Sequence, residues 1–133
     1  MHRTQLSSGI ATGIGGLPHR DAVDAATFVL RNMELPAIPT LPRRSPAEGS
    51  MAQAMVGMQG ITVGQYGSIA VDATLVDPLA PIVTDLDHDA FLGFRTFLEL
   101  AHEQQFVGPV KWQFVGPVSF GLAYAAAFFG FTA

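Results

Sequence analysis

The chain has 133 residues, no cysteine and a formal net charge of -4, with 49% hydrophobic and 14% charged side chains. That length suits one domain able to bury its own core, and the composition excludes a disordered tail. The acid excess excludes a patch for a nucleic-acid backbone, and the missing thiol excludes disulfides, a thiolate zinc site and a cysteine nucleophile. With so few charges for its apolar content, the chain is expected to keep apolar surface uncovered and available for self-association. Met1 to Gln5 lead into a polar, glycine-rich stretch without the apolar core of a secretory signal, so the expected location is cytoplasmic.

Residues 9–14 read as a short buried strand. At its foot Gly13, Gly15 and Gly16 precede Leu17-Pro18-His19. Glycines lack a Cβ, so such a βα loop lets a small ligand lie against bare backbone amides where a strand ends. The spacing is neither a dinucleotide fingerprint nor a phosphate loop, and a plain tight turn is the competing reading. Asp21 then caps a helix on which Val23, Ala26, Leu30 and Met33 recur at helical spacing, with Asp24 in its positive first turn. Residues 37–41 are apolar but carry prolines, which places them at a sheet edge or in irregular pairing. Ser45-Pro46-Ala47-Glu48 is a helix start, with Ser45 as N-cap, Pro46 in the first position and Glu48 reaching back to the Ser45 amide. The helix is expected to run to about Met58.

Residues 61–64 and 68–72 predict a small hairpin, an excursion from the main sheet. Asp85, Asp87 and Asp89 resemble the opening of a calcium loop. Ala90 and Thr96 stand where that loop needs glycine and glutamate, so a carboxylate-rich helix N-terminus is the better account. Phe91, Phe94, Leu98 and Ala101 form the apolar stripe of that helix, its phenylalanines core. Residues 110–115 read as a strand ending in Gly116-Pro117, followed by an apolar helix over 118–131. From Trp112 onward no side chain is charged, but Gly116-Pro117 breaks the run, and a buried strand and helix explain it better than a membrane span. Strands alternating with helices imply parallel βα units, with loops gathered at the carboxyl ends of the strands.

Several residues at those ends suit ligand chemistry. His19 can carry a proton or donate a hydrogen bond, or merely solvate the turn after Pro18. Arg43 and Arg44 follow a strand end, where a guanidinium grips a carboxylate bidentately, or pairs with Glu48. Gln113 and Ser119 flank Gly116-Pro117 and can reach the same pocket, Lys111 points outward, and Trp112 is core. His2, His88 and His102 have no motif around them and read as surface residues. No Ser-His-Asp set or carboxylate pair is readable, so no catalytic group beyond His19 is nominated.

Three of these segments recur together in one family: Ile14-Gly15-Gly16-Leu17-Pro18-His19, Leu41-Pro42-Arg43-Arg44-Ser45-Pro46-Ala47-Glu48, and Val110-Lys111-Trp112-Gln113-Phe114-Val115-Gly116-Pro117-Val118-Ser119. In order and spacing the chain resembles the cobalamin-independent methionine synthases, specifically their short single-barrel members related to uroporphyrinogen decarboxylase. The resemblance implies an α/β fold, with residues 1–133 a single partial domain. It comprises the first three βα units of a TIM-type (β/α)8 barrel, an incomplete barrel with a hairpin excursion and the site at the carboxyl face of its strands. It also implies methyl transfer from a folate-type donor to a thiol such as homocysteine, held as a thiolate by zinc. The family's zinc ligands lie in later barrel units, so this chain carries no ligand set and is expected to be inactive alone, as a fragment.

Substrate contacts carried over or suggested are Ile14, Gly15, Gly16, His19, Arg43, Arg44, Gln113 and Ser119. The family has serine where this chain has Gly16, so the hydroxyl contact is missing and the amides of Gly15 and Gly16 serve alone. A different thiol or small acid fits the loop equally well. Two other readings stay open: a relative of uroporphyrinogen decarboxylase, binding carboxylates through strand-end arginines without a metal, and a noncatalytic α/β interaction module.

Overall fold

A computed structural model describes residues 5–64 and 68–122. It is a mixed α/β fold that includes helices α1 (Ala22–Asn32), α2 (Ser50–Met55) and α3 (Leu92–Glu103), with 3-10 turns at Pro46–Glu48 and Asp89–Phe91. The predicted hairpin is present as β1 (Ile61–Val63) and β2 (Ile69–Val71), antiparallel with Ile61 opposite Val71.

Around these elements three extended segments run side by side, joined by parallel bridges between Thr12 and Leu35, Gly16 and Thr40, and Ala37 and Lys111. The segment around 35–40 is therefore central. Toward the first segment, Leu35 N donates to Ala11 O at 2.9 Å and Thr40 N to Gly15 O at 2.8 Å, while Leu17 N donates back to Thr40 O at 3.0 Å. Toward the third, Ile38 N donates to Lys111 O at 2.9 Å and Lys111 N donates back to Pro36 O at 2.8 Å. Each parallel neighbour is reached through a helix, α1 or α3, because parallel strands cannot be joined by a tight turn. Alternation along the sequence predicted this parallel order.

The central position corrects one alternative for residues 37–41, an edge strand. Pro36 and Pro39 have no N–H to give, but the donors used here belong to Leu35, Ile38 and Thr40, and Pro36 supplies only its carbonyl. The cost is the irregular pairing also expected, isolated bridges in place of a continuous ladder. The buried strand expected over 9–14 is corrected too: Ile14 is 73% exposed, since no side chain among the described residues covers it.

Asp21 caps α1 as predicted, its Oδ1 accepting from Asp24 N at 2.9 Å. The buried face is Ala22, Ala25, Ala26 and Val29, whereas Val23 is exposed and Leu30 and Met33 pack at the margin. These alanines let α1 lie close against α3, whose Phe97 is fully buried with Leu17, Ile38 and Leu41. On α3 the expected stripe shifts likewise: Phe91 and Phe97 are enclosed, Phe94 is partly buried and Leu98 is exposed. A second cluster joins Ala52, Met55 and Val56 to Val63, Ala90 and Phe91.

The helix expected from Ser45 to Met58 is broken. Ser45 Oγ does accept from Ala47 N, but Gly49 adopts an extended backbone between the 3-10 turn and α2, and positive φ at Gly57 follows the helix end. Asp89 lies in the first turn of its 3-10 helix, as the acidic N-terminus reading required. His88 is not simply at the surface: its Nδ1 accepts from Ala90 N at 3.0 Å, so the ring hydrogen sits on Nε2, 3.2 Å from Val63 O. Residues 117–122 are helical; the rest of the helix expected over 118–131, and His2, lie outside the described residues. Among the described residues no helix is long and apolar enough to cross a membrane.

Candidate functional site

Where the three segments end, a cavity of about 380 Å³ opens between Ile14, Gly15 and Gly16 of the first, Ile38 and Thr40 of the second, and Gln113 to Val115 of the third. Parallel direction is the cause: segments that point the same way deliver their carboxyl ends to one rim. Pro42 and residues of the Glu48–Gln53 stretch close the remaining side.

Two side chains of the third segment reach over the central one to the backbone of the first. Gln113 Oε1 accepts from Gly15 N at 2.5 Å, and Lys111 Nζ donates to Gly13 O at 2.5 Å. Residues two apart on an extended chain share a face, so the two contacts are successive rungs on one side of the sheet. Lys111 therefore does not point outward. The crossing also changes the expectation for the glycine loop: the Gly15 amide is not bare but already donated to Gln113. Gly15 itself is required by proximity, since a Cβ there would stand 2.6 Å from Ile38 O, whereas a Cβ on Gly16 would meet nothing nearer than Thr40 Oγ1 at 3.9 Å.

Glu48, one of the lining residues, belongs to a charge cluster. Glu48 is fully buried, its Oε2 accepting from Arg44 Nε at 2.5 Å and its Oε1 from Gly93 N at 3.1 Å. Arg44 also donates to the Asp89 carboxylate at 3.2 Å and to the Asp89 carbonyl at 2.8 Å. Burial pushes the Glu48 carboxyl above its ordinary range, against the opposing pull of Arg44 and the Gly93 amide. Burial pulls Arg44 down, but its bonds to Glu48 and Asp89 outweigh that and leave it raised. The Arg44 hydrogen bond holds Asp89 below the usual carboxylate range. Glu48 thus serves here, not as the capping-box partner of the Ser45 amide; a salt bridge outcompetes that weaker local contact.

The structure brings Ile14, Gly15, Gly16 and Gln113 to one cavity. It turns Arg44 inward to Glu48 and Asp89, and leaves Arg43 exposed and Ser119 exposed on the helical turn after Pro117, neither of them lining the cavity. His19 is half-buried beside Phe28, ring centroids 5.3 Å apart, and its Nδ1 has no hydrogen-bond partner among the described residues. It too stands away from the cavity lining. Trp112, read as core, is 46% exposed and packs its ring on Phe94 and Phe114. Thr40, Ser50 and Gln53 line the cavity without having been singled out in sequence; only the strand-end position of Thr40 carried a signal.

Among the described residues no three histidine, aspartate or glutamate side chains gather as a metal site, and the chain has no cysteine. The described residues thus offer no ligand set for the zinc that the family resemblance implies. No family model, curated protein or solved structure matches the chain.

Proposed function

We propose that this chain forms the opening βα units of a methionine-synthase-like (β/α)8 barrel and binds the amino-acid end of a thiol substrate such as homocysteine, the acceptor in methyl transfer. One observation carries the reading: the hydrogen bond from Gly15 to Gln113 across the central segment, which draws two of the resembling motifs to one cavity. Parallel segments with helical crossovers, in the order the barrel requires, support it further. The cavity is concave and mostly apolar with a few convergent polar groups, the usual form of a small-ligand site. The contribution of these residues is binding and orientation; among the described residues no ligand set for thiolate activation by zinc is present. Arg44, held by Glu48 and Asp89, is poorly placed for the carboxylate-gripping role that a uroporphyrinogen-decarboxylase-like reading gives it.

The test is a nuclear magnetic resonance titration of the chain with L-homocysteine. Shifts concentrated at Ile14 to Gly16 and Gln113 are expected. Shifts elsewhere, or none, overturn the assignment.

A further inference from the structure

We infer that Gln113 determines the specificity of this cavity by presenting its side-chain NH2 to a ligand carboxylate. The inference rests on the cavity being a substrate site, as proposed above, and adds which chemical group the ligand brings to Gln113.

A backbone N–H can only donate, so the amide oxygen of Gln113 must be the atom facing Gly15. That fixes the flip of the carboxamide. Its Nε2 then points away from Gly15, and among the described residues it has no acceptor, although Gln113 lines the cavity. An anchored amide of this kind offers two donors and no acceptor at that end, so it accommodates an acceptor oxygen and leaves an ammonium group unmatched.

The charge nearby selects among acceptors. Lys111 lies one rung below Gln113 on the same face, with its ammonium on Gly13 O. Gly13 and Gly15 are separated by two residues of extended chain, about 7 Å, within a Debye length. Among the described residues every salt bridge belongs to Arg44, so no carboxylate neutralises Lys111. Glu48, which lines the cavity, shares Arg44 as counter-ion with Asp89, so this cluster adds no positive field and Lys111 is the cation that bears on an acceptor at Gln113. Donor geometry favours an acceptor oxygen over an amine, and the Lys111 ammonium on the same face favours a carboxylate over a neutral carbonyl.

The chain is titrated with sodium acetate, methylammonium chloride and L-homocysteine, reading the Gln113 side-chain amide and the Gly15 backbone amide by nuclear magnetic resonance. Acetate and homocysteine are expected to shift both signals, and methylammonium neither. Gln113→Glu, which keeps the bond to Gly15 but replaces the NH2 by a negative oxygen, is expected to weaken acetate by about tenfold or more and to admit methylammonium. Gln113→Met, close in length and without donors, is expected to weaken acetate and gain no methylammonium, and it decides the matter if the glutamate variant fails to fold. Acetate that leaves both wild-type signals unmoved overturns the inference. So does acetate binding to Gln113→Met as tightly as to wild type, which would make Gln113 a plug over the Gly15 amide. If acetate behaves as expected and homocysteine shifts nothing, the carboxylate specificity stands and the homocysteine reading falls.

Discussion

Gly15 and Gly16 are chemically identical neighbours with opposite constraints. The backbone of the central segment approaches Gly15 so closely that a Cβ would press on the Ile38 carbonyl, and a backbone atom in a paired segment cannot rotate aside. At Gly16 the corresponding space is open. Gly15→Ala is therefore expected to destabilise the chain by about 1–3 kcal/mol, the usual range for overpacking, while Gly16→Ala stays within about 0.5 kcal/mol of wild type. Urea denaturation of the two variants side by side checks this; equal midpoints would remove the steric argument. The tripeptide Ile14-Gly15-Gly16 announced a loop needing bare backbone, but nothing in it distinguished the glycine that is needed from the one that is merely permitted. That distinction belongs to Ile38, more than twenty positions away.

Between elements, the Arg44, Glu48 and Asp89 cluster ties the end of the central segment to the start of α3, and Gly93 lets the helix come close enough for its amide to reach Glu48. Removing the cation would leave Glu48 buried and uncompensated. Arg44→Met is expected to cost about 3–5 kcal/mol, and adding Glu48→Gln to recover much of it, because a buried pair fares worse when broken than when replaced. The pH dependence has a definite sign. The Glu48 carboxyl is raised from 4.5, so its contribution is complete below that value and is lost as pH rises through the folded-state value. Asp89 is lowered from 3.8, so its contribution is present above that value and is lost as pH falls through the folded-state value. The cluster is accordingly most favourable near pH 4, and thermal melts from pH about 3 to about 7 should show stability declining above that point in wild type but not in Glu48→Gln. A parallel decline in both would show that another group titrates. The local pattern Ser45-Pro46-Ala47-Glu48 correctly marked a helical start. It could not show that Glu48 abandons the Ser45 amide for Arg44 and Gly93, because the competing partners come from another element.

Across the whole molecule, helices pack on one another through small and aromatic side chains, while one side of the extended segments carries the crossing contacts of Lys111 and Gln113. These two side chains link the outer segments without backbone pairing between them. Lys111→Met should free the first segment more than the helices. Exchange at the Leu35 and Thr40 amides, which donate to that segment, is expected to quicken by about tenfold, in keeping with a hydrogen bond from a charged group, while Val29 in α1 stays protected. Hydrogen exchange reads each amide separately, and unchanged Leu35 and Thr40 would mean that backbone pairing alone holds the segment. Exposed Ile14, Val107 and Phe114 show how much apolar surface this arrangement leaves open, as the sparse charge of the chain led one to expect.

Capping, turns and alternation act over a few residues, so the amino-acid sequence alone determined the start of α1 at Asp21, the hairpin, the acidic entrance to the α3 region and the parallel succession of segments and helices. Which face each helix buries, the central place of the proline-bearing segment, the inward turn of Arg44 and the reach of Gln113 to Gly15 were decided only by tertiary structure. These depend on contacts between residues tens of positions apart, whose free energy exists only once the chain has brought them together.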